Sequence, residues 1–138
     1  WESSGGLSVR GHISGKDGIY AAALLAEMIA VTGKSISELY REITDRFGEL
    51  CYREADFRMT PERKLALQEL LFQQEELPPF KQVEKIDRTD GVKLWFGNGS
   101  WVICRFSGTE PLLRMASEAA TGEEAQHLID TWKVFLNL

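Results

Sequence analysis

The chain has 138 residues, of which 43% are apolar and 27% are charged, a composition typical of a folded globular protein rather than a disordered one. No stretch approaches the roughly eighteen consecutive apolar residues of a membrane helix, and a formal net charge of -5 argues against a general affinity for nucleic acid or anionic membranes. Cys51 and Cys104 lie far apart without metal-ligand spacing, so we expect free thiols and a cytoplasmic protein.

Residues 1–47 are predicted to contain a glycine- and serine-rich loop followed by two helices. The first helix runs from Gly18 to about Thr32 and is apolar on most of its circumference, as a helix packed against a sheet would be. Ser35 and Glu38 form a capping box that begins the second helix. No strand is predicted in this part and the chain begins without Met, so we interpret it as a piece of a longer protein whose missing sheet lies upstream.

Residues 48–138 are predicted to form an α+β domain, with an antiparallel sheet of four or five strands and two helices. Thr60 and Pro61 mark the start of a helix that extends to about residue 74, and Thr121 with Glu124 forms a capping box for the closing helix. The strands are expected, between Asp-Gly and Gly-Asn-Gly turns, in segments 50–60, 80–87, 92–96, 100–106 and 112–119.

The turn between the last two predicted strands, residues 105–111 with the sequence RFSGTEP, carries more polar groups than a turn requires. Its glycine can expose consecutive backbone N–H groups as an anion-binding nest, and two hydroxyls and a guanidinium fork add further donors. This set suits a phosphate, which needs several donors around one small volume. Glu110 would repel an anion, so we expect it to point away or to pair with Arg114. The alternative is an ordinary hairpin turn with a surface arginine.

Two separated motifs resemble those of one enzyme family. The segment RFSGTEPLLRMASEA resembles the C-terminal phosphate-binding loop of the α-D-phosphohexomutases, whose pattern is Arg-x-Ser-Gly-Thr-Glu-Pro followed by a strand. The opening ESSGG and the later GHISGKDGIYAAALLAE resemble that family's third-domain sugar loop and the helix after it, in the same order. The resemblance covers the whole chain. It implies the end of an α/β third domain in residues 1–47 and a C-terminal phosphate-binding domain in residues 48–138.

The resemblance also implies roles for individual residues. The positions that match the family's clamp on the non-reacting phosphate are Arg105, Ser107, Gly108 and Thr109. The positions that match substrate contacts near the sugar are Glu2, Ser4, His12 and Lys16. A carboxylate acceptor and a hydroxyl, at the first two of these, suit the vicinal O3 and O4 of a hexose. Arg114 is expected to support the clamp rather than to contact the ligand.

The implied activity is that of a phosphoglucomutase or phosphomannomutase, which interconverts hexose 1-phosphate and hexose 6-phosphate through a bisphosphorylated intermediate. In that family a phosphoserine transfers the phosphoryl group and aspartates hold Mg²⁺. Because this sequence contains neither the serine loop nor the aspartate metal loop, we expect the piece to be inactive alone and to bind a phosphorylated hexose weakly. Mg²⁺, hexose 1,6-bisphosphate and the N-terminal domains are then cofactors and partners of the intact enzyme.

Three alternatives stay open. Phosphoglucosamine mutases share the Arg-x-Ser-Gly-Thr-Glu-Pro loop, although the Glu-x-Ser-Gly-Gly form favours glucose or mannose phosphates. An RNA-binding α+β domain has a similar outline, but the acidic charge and the lack of an RNA-binding consensus argue against it. We therefore expect Trp95, Phe96, Trp101 and Phe106 to lie in the sheet core. A non-catalytic interaction module would self-associate through the apolar face of the first helix.

Overall fold

The computed structural model describes residues 5–138, which divide into two compact units between Gly48 and Glu49. The described part of the first unit contains a glycine-rich segment followed by helix α1 (Gly18–Thr32) and helix α2 (Ile36–Phe47). Helix α1 has the bounds that the sequence pattern predicts, and α2 begins directly after the predicted cap at Ser35.

Local signals begin and end these two helices. Ser35 Oγ accepts a hydrogen bond from the Glu38 N–H, and the Glu38 carboxylate accepts one from the Ser35 N–H, so the predicted capping box is confirmed. Helix α1 ends at Gly33, whose φ of 66° lies in the left-handed region that glycine adopts without strain. Within residues 5–48, neither helix contributes a buried side chain.

The second unit contains a five-stranded antiparallel sheet and two helices, which confirms the predicted α+β fold. Its elements are, in chain order, β1 (Cys51–Arg58), α3 (Pro61–Phe72), β2 (Val83–Asp87), β3 (Val92–Phe96), β4 (Trp101–Phe106), β5 (Leu112–Ala119) and α4 (Gly122–Leu136). The order across the sheet is β1-β5-β4-β3-β2, so the longest strands, β1 and β5, pair with each other at one edge.

Both helices of this unit share one hydrophobic core with the inward side chains of the strands. Because strand side chains alternate between faces, every second residue of β3, β4 and β5 enters the core. The most deeply buried large side chains are Leu71, Val92, Leu94, Val102, Leu113, Met115, Ile129, Trp132 and Leu136. Cys104 lies among them as a free thiol, and burial raises the pKa of that thiol.

Two local predictions differ from the structure. Helix α3 ends at Phe72 rather than near residue 74. The capping box of α4 is only half formed, because Thr121 Oγ1 accepts a hydrogen bond from the Glu124 N–H but the Glu124 carboxylate does not return one. Glu124 Oε1 instead accepts from Asn98 Nδ2 at 2.6 Å, which ties α4 to the β3–β4 turn.

The aromatic residues predicted to lie in the core are divided between the two faces of the sheet. Phe96 and Phe106 pack against the core, as predicted. Trp95 and Trp101 alternate with core residues and lie on the opposite face, where Lys93 Nζ is 3.9 Å and 3.8 Å from their ring centroids. Desolvation there lowers the pKa of the Lys93 ammonium group. A nucleobase would have to displace this lysine in order to stack on either ring.

None of the helices described in residues 5–138 is long and apolar enough on its own to cross a membrane. Taken together, α1 and α2 are long and apolar enough to do so by length and composition alone, but an 83° bend separates them.

Candidate functional site

Three of the residues predicted to bind phosphate, Ser107, Gly108 and Thr109, lie on the loop between β4 and β5, and the fourth, Arg105, lies near the end of β4. Hydrogen bonds within the loop close it at its base. The Ser107 N–H donates to Leu112 O at 2.8 Å, and the Leu112 N–H donates to Glu110 O at 2.8 Å. The Glu110 N–H donates to Ser107 Oγ at 3.3 Å. The tip of the loop, formed by Gly108 and Thr109, is exposed to solvent.

The tip carries donors that the rest of the described chain does not use. No acceptor within residues 5–138 bonds to the amide of Gly108, to the amide of Thr109 or to the Thr109 hydroxyl. The Ser107 hydroxyl accepts from Glu110, and its own proton remains available to a ligand. A Cβ built on Gly108 would meet nothing within 4 Å, so the backbone there is open to close approach.

The predicted nest geometry is not observed. A nest alternates right-handed and left-handed backbone conformations, whereas none of the described residues 105–111 has a positive φ. The loop therefore offers separate amide and hydroxyl donors at an exposed tip, and the hydrogen bonds at its base set their positions.

Arg105 is held beside this loop by a carboxylate from a neighbouring turn. Its Nη1 donates to Asp90 Oδ2 at 3.0 Å, and its side chain remains 44% exposed. The turn approaches β4 closely at Gly91, where φ is 94° and a Cβ would lie 2.5 Å from the Cys104 carbonyl oxygen and 2.8 Å from the Arg105 Cα. Only glycine fits this position. Because a guanidinium has five N–H donors, the bond to Asp90 leaves others for an anion.

Arg114 lies directly across from Arg105 in the β4–β5 ladder. Its Nε is 3.9 Å from Asp56 Oδ2, and Asp56 is its register partner on β1. Arg114 therefore pairs with Asp56 and not with Glu110. Each of the two neighbouring arginines has its own carboxylate, which reduces the repulsion between their charges.

Lys64 is a candidate residue that the sequence did not reveal. Its Nζ donates to Ser107 O at 2.7 Å and to Glu110 O at 3.2 Å, so one ammonium group holds both ends of the loop. Lys64 lies in the first turn of α3, 43 residues before Ser107. In the sequence, Thr60 indicates where α3 begins. A helix cap carries no information, however, about which residues the first turn of the helix will contact.

In the first unit, His12 is fixed to the start of α1. Its Nε2 is 2.8 Å from Asp17 Oδ2, and its ring stacks on Tyr20 with centroids 4.1 Å apart. Asp17 is also the N-cap, and its Oδ1 accepts from the N–H groups of Ile19 and Tyr20. The hydrogen bond from His12, followed by that from the Tyr20 amide, lowers the pKa of the Asp17 carboxyl.

The other predicted sugar-binding residues are less fully described. Lys16 runs along the backbone at Gly6, where a Cβ would lie 2.7 Å from Lys16 Cδ. Gly6 therefore leaves room for the lysine stem within the glycine-rich segment. Glu2 and Ser4 lie outside the described residues, and their predicted roles stay predictions.

No group of three or more His, Cys, Asp or Glu side chains among residues 5–138 could hold a metal ion, so the Mg²⁺ that the family resemblance implies has no fitting ligand set in this part of the chain. A cavity of about 410 Å³ lies beside the β3–β4 turn, with Phe80, Phe96 and Leu128 on its apolar side and Glu124 on its polar side. That turn is at the opposite end of β4 from the loop.

Comparison with known proteins gives a consistent result for both units. Residues 1–47 match the family model "Phosphoglucomutase/phosphomannomutase, alpha/beta/alpha domain III", and residues 54–131 match "Phosphoglucomutase/phosphomannomutase, C-terminal domain". The chain is 34% identical over 131 residues to the phosphoglucomutase/phosphomannomutase of Thermococcus kodakarensis and 32% identical over 130 residues to the phosphoglucosamine mutase of Streptococcus sanguinis. Each alignment covers 94% of this chain but only 26% and 25% of the relatives, so the chain spans about a quarter of their length.

A solved structure shares the fold. The crystal structure of a phosphoglucomutase/phosphomannomutase family protein from Burkholderia thailandensis aligns with a TM-score of 0.62 at 16% identity, covering 94% of this chain and 26% of that one. At so low an identity, the likeness supports the fold and carries no information about individual site residues.

Proposed function

Since the chain belongs to the phosphoglucomutase/phosphomannomutase family of phosphohexomutases, we propose that its second unit is the phosphate clamp of such an enzyme. The clamp consists of the exposed loop tip and the arginine beside it, with Arg105, Ser107, Gly108 and Thr109 donating to the phosphate. The observation that carries the proposal is that Gly108 and Thr109 are exposed and that their amides have no acceptor within residues 5–138.

The chemistry of the donor set supports a phosphate rather than a carboxylate or a neutral sugar. A phosphate monoester presents three oxygens and close to two negative charges, which can accept from a guanidinium fork, hydroxyls and amides together. Arg105 supplies the formal charge, while the loop donors add directional bonds without adding a second cation to the tip. Glu110 contributes its carbonyl to Lys64 and its amide to Ser107, so both of its backbone polar groups are engaged within the protein.

For the intact protein, we propose the interconversion of hexose 1-phosphate and hexose 6-phosphate through a bisphosphorylated intermediate. A clamp that binds only phosphate oxygens would hold either phosphate of the intermediate, and so would accept the sugar in both orientations. In this assignment the phosphoserine and the magnesium ligands belong to N-terminal domains of the same protein. The chain described by the structure positions the substrate and does not itself break the phosphoester bond.

The hexose is assigned as glucose or mannose, and Glu2, Ser4, His12 and Lys16 are the proposed contacts to the sugar. A second candidate is glucosamine phosphate, which the similarity to the Streptococcus sanguinis phosphoglucosamine mutase favours. The two candidates share the phosphate clamp, and they differ only in the group at one ring position of the sugar.

An amide NMR titration of the 138-residue chain tests the clamp. Adding glucose 6-phosphate or inorganic phosphate should move the signals of Ser107, Gly108 and Thr109, while free glucose should leave them unchanged. Arg105→Lys retains the positive charge but loses the guanidinium fork, so it should weaken binding of glucose 6-phosphate about tenfold, or about 1.4 kcal/mol. If saturating phosphate leaves the loop signals unmoved, the loop is an ordinary hairpin turn and the proposal is wrong.

Arg114→Lys is the matched control, because Arg114, which the sequence suggested as a support of the clamp, pairs with Asp56 on β1 and has no hydrogen bond or ion pair to the loop among residues 5–138. It changes the same residue type at the register partner of Arg105, where the guanidinium is also paired with a carboxylate. A specific clamp predicts that this variant keeps the wild-type affinity within about twofold. Equal weakening in both variants would indicate a diffuse positive field instead. Parallel titrations with mannose 6-phosphate and glucosamine 6-phosphate then compare the sugars.

A further inference from the structure

Lys64 forms hydrogen bonds with both ends of the loop. Its ammonium group donates to Ser107 O at 2.7 Å and to Glu110 O at 3.2 Å, and these carbonyls stand on either side of the exposed tip. We propose that Lys64 is a positioning residue of the phosphate clamp, which sets the direction of the Gly108 amide without needing to touch the ligand. This inference rests on the function proposed above.

The peptide bond between Ser107 and Gly108 carries the argument. The peptide bonds of residues 5–138 are trans, and in a trans peptide the C=O and N–H point in opposite directions. Because Ser107 O points toward Lys64, the Gly108 N–H points away from it and out of the loop. The same N–H has no acceptor among the described residues, so it is a donor held ready for an external group.

The bond from Lys64 Nζ to Glu110 O restrains the other end of the tip and leaves every N–H group of the tip available. Glu110 O belongs to the peptide bond that precedes Pro111, and proline has no N–H. Holding this carbonyl therefore leaves no amide pointing away from Lys64 at that end. The two bonds together restrain both ends of the tip, while the donors available to a ligand remain those of Gly108 and Thr109 and the hydroxyl groups.

Lys64 can act in this way because its own backbone is well anchored. Thr60 Oγ1 accepts from the Arg63 N–H at 3.3 Å at the start of α3. Arg63 Nη2 donates to Leu136 O at 2.6 Å, which ties the first turn of α3 to the end of α4. The half-buried Lys64 side chain thus connects an anchored helix to the loop, and its stem is less free than that of a surface lysine.

Three variants of the 138-residue chain test the proposal. Lys64→Met retains the stem but loses the ammonium group, so the Ser107–Gly108 peptide should be free to rotate and the affinity for glucose 6-phosphate should fall about tenfold. Lys64→Arg can still donate to both carbonyls and should restore binding to within about threefold of wild type. Lys81→Met is the matched control, because this exposed lysine lines the cavity beside the β3–β4 turn and should leave the affinity unchanged.

A measurement without ligand separates this inference from the proposed function. Residual dipolar couplings report the orientation of the Gly108 N–H vector in the free chain, and they should change in Lys64→Met but not in Lys64→Arg. A lysine that only stabilised the fold would lower the unfolding midpoint and leave this vector in place.

The outcomes are distinct. If wild type binds glucose 6-phosphate and Lys64→Met binds it equally well, the positioning role is overturned and the clamp stands. An unchanged Gly108 vector in Lys64→Met overturns the positioning role whatever the ligand does. If wild type binds no phosphate while the vector changes, the clamp fails, and Lys64 then orients a turn that has no ligand.

Discussion

The two units of the chain differ in how much of their structure depends on tertiary packing. In the first unit, α1 and α2 have well-formed caps, yet within residues 5–48 neither helix contributes a buried residue. In the second unit, a sheet and two helices enclose a core that includes Leu94 and Trp132, both 0% exposed. In the 138-residue chain, the described helices of the first unit therefore depend on local hydrogen bonds, and the second unit depends on a shared core.

This difference explains why apolar composition and burial do not coincide. Helix α1 is the more apolar of the first two helices, but its Ile19 and Val31 are 87% and 79% exposed. Apolar area that stays in contact with water adds no hydrophobic stabilisation. By contrast, the less apolar α4 places Ala125, Leu128, Ile129 and Trp132 on one side and buries all four. In the 138-residue chain, α4 therefore gains hydrophobic stabilisation that α1 does not.

The largest expected effect tests this contrast directly. Trp132→Ala removes a fully buried side chain from the core and should lower the free energy of unfolding of the second unit by about 3–5 kcal/mol. Truncating the exposed Ile19 to alanine should change the free energy of unfolding of the first unit by less than about 0.5 kcal/mol. Urea titrations followed by amide NMR signals from each unit would measure the two effects separately.

A large loss of stability in Ile19→Ala would contradict this contrast between the two units. If Ile19→Ala destabilised the chain by about 1.5–3 kcal/mol, the value for a buried isoleucine, α1 would be covered in solution. A concentration series in analytical ultracentrifugation would then show whether a second copy covers it, which is the self-association that the sequence left open. A chain that remains monomeric with the small cost at Ile19 would support an open α1.

The second prediction compares two glycines with positive φ, one in each unit. At Gly33, φ is 66° and a Cβ would meet nothing within 4 Å, so Gly33→Ala should cost only the strain of the left-handed conformation, about 1–2 kcal/mol. At Gly91, the same strain is joined by overlap with Cys104 O, and Gly91→Ala should cost about 1–3 kcal/mol more. Urea denaturation of both variants measures the difference, and equal costs would show that the β2–β3 turn moves away to make room.

Much of the fold could be predicted because its signals are local. The bounds of α1 and the capping box at Ser35 depend on residues within one helical turn. The strands around the Asp90–Gly91 turn depend on a period of two and on turn chemistry. The face of the sheet on which each strand side chain lies is harder to predict. Trp95 and Trp101 are apolar enough for the core, but they alternate with residues that already occupy it.

The candidate site was predictable only where it is contiguous in sequence. Residues 105–109 form one segment and were identified together. Asp90 and Lys64 reach that segment from 15 and 43 residues away, and neither spacing belongs to a sequence pattern. Their contacts follow from the close approach at Gly91 and from the packing of α3, which only the folded chain reveals.

The smallest expected effect concerns Asp17, where the first unit depends on a charge instead of a core. The bonds from His12 and from the Tyr20 amide lower the pKa of this carboxyl below its ordinary value of 3.8, so the folded group holds its proton less tightly than the unfolded one does. Its contribution to stability is therefore fully present above that ordinary value, and it is lost as the pH falls through the lower folded pKa.

NMR signals of the Ile19 and Tyr20 amides, followed from pH 6 down to about pH 2, should shift with a midpoint below 3.8 as the cap weakens. Asp17→Asn is the control, because asparagine caps a helix about as well but does not titrate. In that variant both amide signals should stay nearly constant over the same range. A midpoint above 3.8 in wild type would mean that burial outweighs the hydrogen bonds, and the start of α1 would then resemble the second unit more than the first.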